Sequence, residues 1–73
     1  VTNSRVTAKQ LIKVVEDVGS ELVRQSGSHM IFRNKDAKRI VIPYHTGKNL
    51  HPKIVSSILK DIDLSVDDFK RML

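Results

Sequence analysis

The chain carries three histidines and a run of cations through its middle third, and these are the side chains able to do chemistry. His29 is the most informative of them. It closes the stretch Arg24-Gln25-Ser26-Gly27-Ser28-His29, where a glycine and small polar residues separate two short apolar runs. That composition predicts a tight turn that delivers an imidazole to the first position of a strand. An imidazole both takes and gives protons near neutral pH. Beside a basic segment it suits phosphodiester cleavage or phosphate binding. RNA is cut without a metal when a base removes the 2′-hydroxyl proton and an acid protonates the leaving 5′-oxygen, and a histidine in either role contributes roughly 10²–10⁴-fold. Charge developing on phosphorus needs donors, for which Arg33, Lys38, Arg39 and the Gly27-Ser28 amides are candidates. The wider candidate RNA-binding set is Arg24, Ser28, Arg33, Lys35, Lys38, Arg39 and Lys48. The competing reading of His29 is an ordinary histidine at a strand start.

His45, in Pro43-Tyr44-His45-Thr46-Gly47, is a candidate second proton-transfer group or phosphate ligand; the bland reading is an exposed loop side chain. His51 precedes Pro52 and is expected to help satisfy a helix start. No metal site or cofactor is expected, because the histidines lack i, i+3 or i, i+4 spacing and no cysteine stands near them. Ser28 and His29 are adjacent, so on a strand they point to opposite faces and do not make a nucleophile–base pair. One tyrosine and two phenylalanines offer little stacking surface for a reader of single-stranded bases.

The elements that position these groups follow from periodicity. Thr7 is a candidate cap for a helix over Ala8–Val18, with Leu11, Val14, Val15 and Val18 at helical spacing and Gly19 as its stop. Residues 1–6 show no strong pattern and are expected to be loose. Three strands follow, at Glu21–Gln25, His29–Arg33 and Arg39–Pro43, joined closely enough for an antiparallel meander. Alternation sets Met30 and Phe32 on one face of the second strand and His29, Ile31 and Arg33 on the other. In the third strand, Ile40, Ile42 and Tyr44 oppose Arg39 and Val41. If helices cover the Phe32 and Ile42 face, His29, Arg33 and Arg39 lie on the open one. Pro52 starts a helix that runs to Asp61 and buries Ile54, Val55, Ile58 and Leu59. Ser65, with Asp68 in the usual Glu or Gln place, opens a last helical turn or two that buries Phe69 and Met72 or Leu73.

At 73 residues the chain reads as one small α+β domain spanning 1–73, an α-β-β-β-α order with a three-stranded antiparallel sheet, two helices packed on one face and a short C-terminal helix. No cysteine is present to staple it, and no apolar run approaches a membrane span. The expectation is a soluble cytoplasmic domain with no membrane partner. Net charge is +5, and its distribution is uneven. Residues 31–53 hold Arg33, Lys35, Lys38, Arg39, Lys48 and Lys53 against Asp36 alone, while the flanking thirds nearly balance. Charge so concentrated favours an anionic partner, nucleic acid or acidic protein, over an ordinary solvated hairpin.

Taken together, Arg24-Gln25, Gly27-Ser28-His29, Phe32, Ile40-Val41-Ile42-Pro43, His45-Thr46-Gly47-Lys48, Ile58-Leu59-Lys60, Leu64-Ser65 and Phe69 resemble the HicA (YcfA-like) toxins of bacterial HicA/HicB toxin–antitoxin modules. The resemblance implies a fold like that of double-stranded-RNA-binding domains (dsRBD-like), metal-independent mRNA cleavage (an mRNA interferase), and neutralisation by a HicB-like antitoxin. The family's catalytic histidine falls on His29. The chain departs from the family at Ser20, where Trp or Phe is usual, at Met30, where a second histidine is frequent, and at Asp63, where glycine is common. Its second hairpin, Asn34-Lys35-Asp36-Ala37, lacks the usual glycine. A non-catalytic RNA-binding module of the same fold and a protein-binding module for an acidic partner are the alternatives.

Overall fold

The computed structural model describes residues 6–45 and 49–73. The order is α1 (Ala8–Asp17), β1 (Glu21–Ser26), β2 (His29–Arg33), β3 (Arg39–Pro43), α2 (Pro52–Asp61) and α3 (Val66–Met72). The strands form one antiparallel sheet in the order β1-β2-β3. This is the expected α+β, dsRBD-like layout.

Each helix begins on a side-chain cap. The Thr7 hydroxyl accepts from the Gln10 amide (3.3 Å) while the Gln10 side chain accepts from the Thr7 amide (3.0 Å). His51 Nδ1 accepts from the Lys53 amide at 3.1 Å, and Pro52 occupies the first turn where no N–H is needed. The Ser65 hydroxyl accepts from the Asp68 amide at 3.1 Å. The Asp68 carboxylate accepts from Arg71 (2.9 Å). Both α1 and α2 end in paired return bonds. Gly19 and Ser20 donate to the Glu16 and Val15 carbonyls, and Asp63 and Leu64 donate to those of Lys60 and Leu59. The motif needs a left-handed residue at its centre. Gly19 supplies it at φ 103° with no Cβ to clash, whereas Asp63 adopts φ 59° as a non-glycine.

The helices cover one face of the sheet. Leu11, Val14 and Val15 of α1, Phe32, Ile40 and Ile42 of the sheet, Val55, Ile58 and Leu59 of α2, and Phe69 of α3 make one core. Burying each of these side chains stabilises the fold by about 1.5–3 kcal/mol, which a domain this small needs. Two expectations are corrected, and positions 1–5 of the expected loose start lie outside the described residues. Val6 is not loose: it is buried, and its carbonyl accepts from the Leu50 amide at 2.7 Å, so the segment after β3 returns to clamp the entry to α1. Ile54 is only partly buried, because it sits at the rim of the α2 stripe. Of the two alternatives at the end of α3, Met72 packs partly against the core beside Phe69 and Leu73 is exposed. No helix among the described residues is long and apolar enough to cross a membrane.

Candidate functional site

The face opposite the helices carries the candidate chemistry, and the sheet register arranges it in three rows. His29 lies between Ser26 of β1 and Pro43 of β3. In the next row Ile31 lies between Arg24 and Val41, and in the last Arg33 lies between Glu21 and Arg39. Side chains of directly paired residues share a face, and successive rows are about 6.8 Å apart.

His29 reaches the first row through a two-residue turn. Gly27 takes φ 58° and Ser28 does not, which is the pattern of a type II′ hairpin with glycine leading. The Gly27 carbonyl accepts from the Gln25 side-chain amide at 3.0 Å, and the Ser28 carbonyl accepts from the Tyr44 amide at 2.6 Å. These bonds hold the turn from both sides. The His29 side chain is exposed.

Arg24 reaches the same face by an irregularity. Leu22 pairs with Phe32 on the core side, but Arg24 pairs with Ile31 on the open side, so the register shifts at Val23. Simple alternation would have put Arg24 on Leu22's face. The bulge throws it over and makes it, among the described residues, the only cation one row from His29, diagonally about 7–8 Å away. Beside it Ile31 is 7% exposed although it belongs to the open face.

Arg33 and Arg39 face each other in the last row, about 13 Å along the strands from His29. Like charges set directly opposite are unfavourable. Among the described residues neither arginine takes part in an ion pair. A phosphate lying between them would relieve the repulsion. The β2–β3 hairpin extends this positive end with the exposed Lys35 and Lys38. The Asn34 side chain shapes that hairpin by accepting from the Asp36 (3.0 Å) and Lys38 (2.8 Å) amides. Ala37 stands at φ 62°, at the hairpin where the family glycine is missing.

The sequence-derived set thus divides. His29, Arg24, Arg33 and Arg39 share one face, Lys35 and Lys38 continue it, and Ser28 contributes its backbone to the turn. His45 is exposed two residues beyond Pro43, the partner of His29. Lys48 lies outside the described residues. Two features were missed. The shift at Val23 leaves no mark in composition, and Glu21 at the end of the arginine row appeared only as a strand start. No group of three or more His, Asp or Glu side chains gathers among the described residues.

Comparison with known proteins agrees with this layout. A family model described as the HicA toxin of bacterial toxin–antitoxin matches residues 8–64. Comparison with curated proteins gives no match. The matched segment runs from the start of α1 through the whole sheet and α2 to Leu64, and holds every row of the open face. The chain belongs to the HicA toxin family of bacterial toxin–antitoxin modules.

Proposed function

We propose that this protein is a toxin that cleaves mRNA, with His29 as a proton-transfer group, and that a HicB-like antitoxin neutralises it. The observation that carries this reading is one sheet face that no described helix covers, with an exposed His29 at one end, Arg24 one row away and the opposed Arg33 and Arg39 at the other end. RNA crossing that face sets one phosphate beside His29 and Arg24 and later phosphates between the arginines. His29 takes the proton from the 2′-hydroxyl. The 2′-oxygen then bonds to phosphorus, the bond from phosphorus to the 5′-oxygen breaks, and a second group, for which His45 is the candidate, protonates the leaving oxygen. Arg24 stabilises the charge that builds on the phosphoryl oxygens. The products are a 2′,3′-cyclic phosphate and a 5′-hydroxyl.

Incubating RNA with the wild-type protein and with His29→Ala, followed by analysis of the product ends, tests this. The expected result is cyclic phosphate from the wild type and a loss of about 10²-fold or more in the variant. Equal cleavage by both proteins removes His29 from the reaction. A 5′-phosphate end means attack by water, a different and metal-assisted chemistry.

The second reading, a non-catalytic RNA-binding module, is favoured by the cross-strand neighbours of His29. Ser26 and Pro43 supply no second acid. Under that reading RNA stays intact, binding weakens steeply with salt, and His29→Ala changes affinity only slightly.

A further inference from the structure

Among the described residues, the strand order β1-β2-β3 leaves the outer edge of β3 without a strand partner. The register tells which main-chain groups point out of that edge. The Tyr44 amide donates to the Ser28 carbonyl at 2.6 Å, and the Asn34 amide donates to the Lys38 carbonyl at 3.1 Å. Both contacts continue the β2–β3 pairing, in which hydrogen-bonded and non-hydrogen-bonded pairs alternate. Ile40 and Ile42 therefore turn their N–H and C=O groups toward β2, and Arg39 and Val41 turn theirs outward. Pro43, with no N–H, closes the edge.

Arg39 and Val41 are also the two strand residues that line a groove of about 430 Å³. Its other wall is α2, through Lys53, Ile54, Ser57, Ile58 and Asp61, which recur at helical spacing. A free strand edge and a helix face thus bound one channel. It is apolar at Val41, Ile54 and Ile58, and Arg39 and Lys53 against the single carboxylate of Asp61 leave it with net positive charge. The opposite edge of the sheet differs. β1 is interrupted at Val23, and a bulge twists an edge away from further pairing. β3 pairs without any shift.

We propose that this groove binds an extended peptide segment of a protein partner, which adds to β3 as a fourth strand. Side chains of the segment that point to the helix side pack apolar groups against Ile54, those that point to the open face lie beside Val41 and Arg39, and acidic side chains reach Arg39 and Lys53. The main chain decides the class of occupant: an extended peptide presents complementary N–H and C=O groups every second residue, at the spacing at which Arg39 and Val41 present theirs. A nucleic-acid strand has no such repeat. Membership of a toxin–antitoxin family supplies the partner, the antitoxin, and only the partner's identity rests on that reading. Strand addition here sets an acidic side chain next to the Arg33 and Arg39 row, where it competes with RNA phosphate.

The test is selection of displayed random decapeptides on the whole protein, with the strongest binder then synthesised. The expected binder alternates apolar and acidic residues and slows hydrogen exchange of the Arg39 and Val41 amides. Its affinity falls about tenfold or more in Val41→Lys and in Ser57→Arg, both at exposed positions of the groove. N-methylation of its alternate residues abolishes binding in one register and spares it in the other. His29→Ala binds the peptide as the wild type does, so loss of the nuclease reading leaves this result standing. The proposal is overturned if no peptide binds more tightly than about 100 µM. It is also overturned if binding survives N-methylation in both registers, or if a non-cleavable 2′-O-methyl RNA, and not the peptide, protects the two amides.

Discussion

Arg33 of β2 and Arg39 of β3 are direct cross-strand partners on the face that carries His29. In the alternation of this ladder they form a non-hydrogen-bonded pair, the kind whose backbones approach most closely, about 4.5 Å between Cα atoms. Two arginines set directly opposite carry like charges, an arrangement unfavourable in the free fold and favourable once an anion lies between them. The pair is therefore the strongest electrostatic sign that this face meets phosphate.

Replacing either arginine should separate stability from binding. Arg39→Ala is expected to stabilise the free protein by about 0.2–1 kcal/mol, read from urea denaturation, whereas Arg33→Ala also loses the facing Glu21 carboxylate and should leave stability nearly unchanged. Each should also lower the slope of log affinity for RNA against log salt by about one phosphate contact. A loss of stability in Arg39→Ala, with an unchanged salt slope in both variants, would remove the anion clamp.

Arg24 should behave differently, because the bulge at Val23 sets it one row from His29 while Arg39 lies two rows away. Arg24→Ala is expected to slow single-turnover cleavage by about 10²-fold, the usual effect of removing one charge-stabilising donor. Arg39→Ala should act mainly through the RNA concentration needed for half-maximal rate. Equal effects of the two substitutions on rate and on affinity would show that position along the strands carries no division of labour.

Among the described residues, the two non-glycine residues in left-handed conformation, Ala37 and Asp63, stand where the family resemblance expects glycine. A left-handed alanine costs about 1–2 kcal/mol. The greater chain entropy of unfolded glycine offsets about half of that. Ala37→Gly is expected to stabilise by about 0.5–1 kcal/mol, seen as a higher urea midpoint at unchanged slope. Asp63→Gly should gain less, since aspartate tolerates this conformation, although removing its charge from the C-terminal end of α2 adds a little.

Ser20 is buried, 4% exposed, and its hydroxyl has no hydrogen-bond partner among the described residues. An unpaired buried hydroxyl is unfavourable by about 1–3 kcal/mol. Ser20→Ala removes it at almost constant volume and should raise stability by about 1 kcal/mol, measured by thermal denaturation. A destabilised variant would mean that the hydroxyl has a partner in solution.

Much of this molecule was legible in its residues, for local reasons. Helical and alternating periodicities located six elements because burying one face is a requirement each segment meets on its own. The caps at Thr7, His51 and Ser65 and the stop at Gly19 are short-range bonds between near neighbours. Alternation also assigned His29, Arg33 and Arg39 to one face, since the second and third strands pair without a shift. Tertiary structure decided the remainder. Whether Arg24 joins His29 depends on which residue of β2 it meets, and the shift at Val23 exists only in the pairing of two strands. The opposition of Arg33 and Arg39 follows from the register of their hairpin, set by the Asn34 bonds and a left-handed Ala37. The burial of Val6 needed Leu50, far along the chain, to return to it. The groove beside β3 needed both an unpaired edge and the docking of α2. Periodicity is a property of a segment, whereas register, edges and grooves are properties of the contacts between segments, and these are settled only when the chain packs.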